Sequence, residues 1–187
     1  MNERKRPQRV IAALVFAACA AFAISSPAAT AAADTPISSD STPFPAAPEF
    51  TLLTTAGPFD LASVKMPVLL EVFATWCPHC QRETAVLNEL SRKYRRRVAI
   101  VAVTGSPYSD PELRLPETQS DVDAFVKTFD VRYPVAFDPD LGVARRFIGT
   151  GYPTIVVIDR QKKISYANVG EIPDGPLEKA LDAALAE

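Results

Sequence analysis

Two cysteines separated by two residues, in Cys77-Pro78-His79-Cys80, have the spacing in this sequence that points most directly to chemistry. They follow Val68-Leu69-Leu70-Glu71-Val72-Phe73-Ala74, a nearly continuous apolar run of the kind that forms a strand buried on both faces. Pro78 suits a first helical turn, where its missing N–H costs nothing. The pair therefore falls at a helix start, with Cys77 at the N-terminus, where backbone N–H groups and the macrodipole are expected to stabilise a thiolate. Cys80, one turn on, lies within bonding reach of Cys77. One thiol can attack a partner and the other can resolve the mixed disulfide.

Other uses of the pair have less to stand on. A bridge closing so short a loop constrains the unfolded chain very little, which argues against a purely structural disulfide. A zinc site needs four ligands, and His79, the single histidine of the chain, is badly placed within the same peptide to join the cysteines. A multi-histidine metal site is excluded, and neither a metal nor an organic cofactor is expected. Glu71, six residues before Cys77 in an otherwise apolar strand, should have a raised pKa if buried, which suits proton exchange with a cysteine. The alternative is a strand-end acid reaching water or a surface lysine. His79 adds donors and partial positive charge beside the thiolate, which favours the reduced form and a more oxidising couple; otherwise it only meets solvent. Trp76 offers a flat apolar platform beside the thiols, or simply packs.

The elements that must position these groups follow from periodicity. Phe50 to Leu53 and Phe59 to Leu61 read as short strands around a turn at Ala56-Gly57-Pro58. Glu83, Leu87, Leu90 and Tyr94, flanked by Val86, fall at helical spacing and predict a helix from Pro78 to about Tyr94. Val98 to Thr104 predicts a second buried strand, and Gly105 to Thr118, with three prolines, an irregular loop. Ser120 is the expected cap of a helix through Phe129, with Val122, Phe125, Val126 and Phe129 as its apolar stripe. Val135 to Phe137 predicts a strand and Leu141 to Phe147 a short helix. Thr154 to Asp159 and Ile164 to Val169 predict an antiparallel hairpin, and Pro176 to Ala186 a closing helix. The fold class is α/β, a mixed central sheet flanked by helices.

Arg4, Lys5, Arg6 and Arg9, the apolar run Val10 to Ile24, and Ala31-Ala32-Ala33 before Asp34 have the layout of a secretory signal peptide over residues 1–33. An uncleaved anchor is the alternative, against which the run falls short of the roughly 20 residues needed to span a bilayer. Cys19 inside it faintly resembles a lipoprotein processing site, but the apolar run continues past it. Residues 34–48, rich in Pro, Ser, Thr and Ala, read as a flexible linker, and the domain is expected over 49–187. Of the 20 basic and 22 acidic residues, four and one lie in the leader, so the remainder carries a formal charge of about −5. An acidic exported domain is a poor partner for nucleic acid or anionic membrane. Contact with a membrane is expected only through an uncleaved leader. The basic run Arg92-Lys93-Tyr94-Arg95-Arg96-Arg97 is read as cations complementing a helix C-terminus.

The stretch Phe73-Ala-Thr-Trp-Cys-Pro-His-Cys80 resembles the active-site segment of the thioredoxin superfamily, and Gly151-Tyr152-Pro153-Thr154 leading into Ile155–Asp159 resembles its cis-proline loop. The resemblance covers about Pro48 to Leu185. It implies a thioredoxin fold, a cis Tyr152–Pro153 bond, Pro153 packed beside the cysteines, and a substrate backbone laid along Tyr152–Pro153. It also implies the proton-exchange role of Glu71. The N-terminal strand pair, the export signal and the central insertion before the Gln119–Phe129 helix are similar to the TlpA/ResA-like periplasmic branch. The Pro78-His79 dipeptide is instead the one found in the DsbA family. Ala85 stands where the TlpA-like branch tends to carry a helix proline. The implied activity is that of an exported, periplasmic thiol–disulfide oxidoreductase acting on protein thiols and disulfides and served by a membrane or periplasmic redox partner. A redoxin-type peroxidase and a copper-handling thioredoxin-like module are the alternatives.

Overall fold

The computed structural model describes residues 45–172 and 175–187. The expected leader and most of the expected linker lie outside the described residues. In chain order the elements are β1 (Thr51–Thr54), β2 (Gly57–Asp60), β3 (Val68–Phe73), α1 (Pro78–Lys93), β4 (Ala99–Thr104), β5 (Tyr108–Asp110), β6 (Leu115–Pro116), α2 (Gln119–Thr128), β7 (Val135–Ala136), α3 (Ala144–Phe147), β8 (Thr154–Ile158), β9 (Ile164–Val169) and α4 (Pro176–Ala186). Seven strands form one mixed sheet in the order β2-β1-β7-β4-β3-β8-β9. Strand β3 pairs parallel with β4 and antiparallel with β8, which explains why its sequence is apolar on both faces.

Alternation along the central strands divides the core in two. Leu69 and Phe73 of β3, Ile100 and Ala102 of β4, and Ile155 and Val157 of β8 pack with Leu87 and Leu90 of α1, its C-cap Tyr94, Phe125 of α2 and Leu181 of α4. Val68, Leu70 and Val72, with Val101, Val103, Val156 and Ile158, face the other way onto Phe50, Leu61, Ala144 and Phe147. Fully burying a Leu, Val or Phe side chain is worth about 1.5–3 kcal/mol, so both layers contribute heavily. Because side chains alternate across a strand, Glu71 shares the face of Leu69 and Phe73 and points under α1.

Three sequence expectations need correction. The 105–118 segment is not irregular: β5 and β6 pair as a small antiparallel hairpin. Its turn is closed by the Asp110 carboxylate, which accepts N–H bonds from Glu112 and Leu113 at 2.9 Å each. Helix α2 is capped by Thr118, not Ser120. Thr118 and Asp121 form a reciprocal capping box, each side chain accepting the other's backbone N–H, and Ser120 falls inside the first turn. Finally, residues 45–48 of the expected linker lie on the domain. Ala47 N–H donates to Lys162 O at 2.7 Å, Ile164 N–H donates to Pro45 O at 3.0 Å, and Ala47 is buried.

The turn from β7 into α3 hangs on one carboxylate. Buried Asp138 accepts N–H bonds from Gly142 (3.1 Å), Val143 (2.8 Å) and Ala144 (2.9 Å). Removing it leaves three donors without this acceptor, each costing about 1–3 kcal/mol where water cannot reach. Asp138→Ala is expected to lower the unfolding free energy by about 3 kcal/mol, read as a reduced urea midpoint with an unchanged slope.

Candidate active site

Strand β3 runs straight into the turn that carries the cysteines. Cys77 N–H donates to Ala74 O at 3.1 Å, closing that turn. Cys77 is then the N-cap of α1, with extended backbone angles and Pro78 in the first helical position. Its Sγ accepts the N–H of Cys80 at 3.3 Å, using a donor that the helix start would otherwise leave unpaired. Both thiols are free. Cys77 shows 3% of its surface and Cys80 none. Burial, then the neighbouring Cys77 sulfur, push the Cys80 thiol far above its ordinary pKa.

Beneath the pair lies Glu71, 2% exposed. Its pKa is raised to about 8, first by burial and second by the charge of Glu83 on α1, against a lowering hydrogen bond from Tyr133. Tyr133 Oη donates to Glu71 Oε2 at 3.4 Å, while Oε1 has no hydrogen-bond partner. Burial and then the charge of Glu71 push the Tyr133 hydroxyl well up. The charge of Glu71 also acts on Cys80, so carboxylate and thiol lie within electrostatic reach.

The second wall comes from the loop before β8. The Tyr152–Pro153 bond is cis, and Cys77 Sγ lies 3.7 Å from Tyr152 O as a thiol donor. Gly170 N–H donates to Pro153 O at 2.8 Å, tying that loop to the end of β9. Tyr152 stands edge-on to Trp76, ring centroids 5.9 Å apart, and its hydroxyl donates to Gly105 O at 2.5 Å.

The insertion supplies a third wall. Trp76 Nε1 donates to Ser106 Oγ at 3.0 Å, and Thr75 Oγ1 donates to Glu117 Oε1 at 2.7 Å. Burial raises the Glu117 pKa, partly offset by the bonds from Thr75. A Cβ on Gly105 would stand 2.4 Å from Val72 Cγ1 and 3.0 Å from Tyr152 Cε1, so this close approach requires glycine.

His79 lies on the outer side of the helix start. Its Nδ1 is 3.1 Å from Glu171 Oε1 and 2.8 Å from Arg82 Nη2, and Arg82 Nε donates to Glu171 Oε1 at 2.5 Å. Arg82 first, then His79, hold the Glu171 carboxyl below its usual range.

The residues singled out from sequence thus converge around Cys77 and Cys80, except that His79 turns outward. Sequence reasoning missed Tyr133, Ser106, Glu117 and Glu171. A polar residue closing each end of the insertion was a usable signal for Ser106 and Glu117; nothing local marked the other two. Among the described residues, no group of three or more His, Cys, Asp or Glu could hold a metal ion.

Comparison with known proteins agrees with this geometry. The Redoxin family model matches residues 41–185. The thioredoxin-like protein YneN of Bacillus subtilis is 31% identical over 140 residues, 73% of this chain and 76% of YneN. The thiol-disulfide oxidoreductase ResA of Bacillus cereus is 31% identical over 112 residues, and the match spans 59% of each protein. Among solved structures, a thiol:disulfide interchange protein of the thioredoxin family from Chlorobium tepidum superposes with a TM-score of 0.62 at 28% identity. It covers 76% of this chain and 97% of that one. A thioredoxin fold, a C-x-x-C helix start, a cis-proline wall and these relatives agree: the chain belongs to the redoxin family, on the TlpA/ResA-like side of the thioredoxin superfamily.

Proposed function

We propose that this redoxin is a thiol–disulfide oxidoreductase that works through a Cys77–Cys80 dithiol–disulfide couple. The observation that carries the reading is the N-cap geometry: Cys77 Sγ accepts the Cys80 amide at a helix N-terminus, beside a cis proline. Such a setting suits a sulfur that carries negative charge during exchange.

Run as a reductant, the Cys77 thiolate attacks one sulfur of a substrate disulfide and expels the other as a thiolate. The Cys80 thiol loses its proton, attacks Cys77 Sγ in the mixed disulfide, and releases the second substrate sulfur. Two electrons pass to the substrate and the enzyme is left with a Cys77–Cys80 disulfide. Run as an oxidant, a substrate thiolate attacks Cys77 Sγ of the disulfide and expels Cys80 as a thiolate; a second substrate thiolate then attacks the substrate sulfur of the mixed disulfide and expels Cys77, leaving the enzyme reduced and the substrate with a disulfide. Cys80 is buried with its pKa pushed up, so its proton needs an internal acceptor. Glu71 beneath it, with a pKa of about 8, is the group we assign to that task. Trp76, Tyr152 and Pro153 form the rim on which a substrate backbone lies, pairing like an added strand. The substrates are protein thiols and disulfides, in keeping with the names of the relatives. The leader-like pattern of residues 1–33 supports the reading of an exported, periplasmic protein with a redox partner there or in the membrane.

A redoxin-type peroxidase is the rival within the same family. It would consume peroxide through a single reactive cysteine without needing Cys80. Reduced Cys80→Ala protein turning over hydrogen peroxide faster than it exchanges dithiols would favour that rival.

Two outcomes test the reading. Cys77→Ala is expected to abolish exchange with a small dithiol, to below about one hundredth of the wild-type rate; near-normal exchange would refute the assignment. For Glu71, the resolving step should rise with pH through about 8 as the carboxylate forms. Glu71→Gln should lose that inflection and slow the step by about tenfold or more, at the low end of what proton transfer contributes. The same group must act on stability. Its folded pKa lies above the ordinary 4.5, so the folded state holds the extra proton between about 4.5 and 8. Stability is fully present below the lower value and falls as pH rises toward the upper one. Glu71→Gln should therefore be more stable than wild type at pH 8 and lose that advantage near pH 4, measured by urea denaturation.

A further inference from the structure

The dipeptide between the cysteines carries a histidine, and a cation beside the Cys77 sulfur would stabilise the reduced form and make the couple more oxidising. That effect depends on where the ring points. Here Cys77 Sγ is engaged by the Cys80 amide and by Tyr152 O, whereas His79 Nδ1 is engaged by Arg82 and Glu171. The two contacts at Nδ1 are chemically exclusive. Accepting from Arg82 Nη2 at 2.8 Å requires a lone pair on Nδ1; donating to Glu171 Oε1 at 3.1 Å requires a proton there. A lone pair on Nδ1 can accept from Arg82 and a proton on Nδ1 can be donated to Glu171, so the nitrogen has a partner on this side either way. Arg82 is itself fixed by Glu171 at 2.5 Å, which leaves Glu171 as the common anchor.

We propose that Glu171, from the segment after β9, is a redox-tuning positioning residue. It tethers His79 away from the Cys77 sulfur and neutralises its charge, so that the couple is less oxidising than its Pro-His dipeptide alone would set. The inference rests on the Cys77–Cys80 couple proposed above and deepens it, by assigning to one carboxylate the balance between a thioredoxin-like frame and a DsbA-like dipeptide. Removing the carboxylate frees the ring to approach the sulfur and leaves its charge, and that of Arg82, unpaired near the helix N-terminus. Both side chains are about half exposed, so the effect is screened by salt and modest in size.

The test is the glutathione equilibrium of the full-length protein at low ionic strength. Wild type, Glu171→Ala, His79→Ala and the double variant are compared, with the fraction of Cys77–Cys80 disulfide read by thiol trapping. Glu171→Ala is expected to shift the equilibrium toward the reduced protein by about threefold, which is ~14 mV at about 30 mV per tenfold for a two-electron couple. The shift should disappear when the same change is made in the His79→Ala background. An unchanged equilibrium, a shift toward the disulfide, or an equal shift without His79 would each overturn the proposal. Failure of the underlying reading looks different: the wild-type protein itself would then show no reversible two-electron couple.

Discussion

The short bond from the Cys80 amide to Cys77 Sγ fixes everything around it, because it can form at one register only. Strand β3 must end at Phe73, the chain must turn back on Ala74 O, and Pro78 must start the helix. Moving the pair one residue along α1 would rotate Cys80 by about 100°, off the core and onto the surface. Cys77 would then lose the cap position and the company of Tyr152. The apolar character of β3 and the stripe of α1 are in this sense conditions for the redox pair, since they hold the strand and helix between which it is fixed.

The same register gives the two cysteines opposite surroundings. Cys80 faces inward over Glu71 and Tyr133, where burial is the largest cause of both raised pKa values. Cys77 faces the rim, where backbone carbonyls, two aromatic rings and a half-exposed ion pair set the conditions. The proton handling and the charge tuning proposed above thus fall to different residues on different sides of one helix turn. A change on one side need not disturb the other.

Much of this was legible in the sequence because it depends on short-range pattern. The buried strand, the helix begun by Pro78, the β8–β9 hairpin and the inward face of Glu71 all follow from periods of two or 3.6 residues. Ile164–Val169 and Pro176–Ala186 fall where the pattern put them. What escaped was pairing across long separations. Tyr133 reaches Glu71 across 62 positions, Glu117 reaches Thr75 across 42, and Arg82 reaches Glu171 across 89. No local pattern encodes such partners. The cap of α2 was misplaced for a different reason: Ser120 is the better cap in isolation, and the box with Asp121 decides for Thr118. Three prolines masked the β5–β6 hairpin, which depends on the Asp110 turn more than on strand propensity.

That hairpin has fixed ends and an independent tip. Gly105, Ser106 and Glu117 tie its base to Tyr152, Trp76 and Thr75. Between them the bonds are internal, with Asp110 closing the turn and Arg114 donating to the Tyr108 hydroxyl, while Leu113 and Leu115 stand exposed. The segment is thus built like an exchangeable cassette. Its outer residues can be replaced, lengthened or grafted from another protein without loosening the catalytic turn, provided that the three anchoring positions at its base are kept.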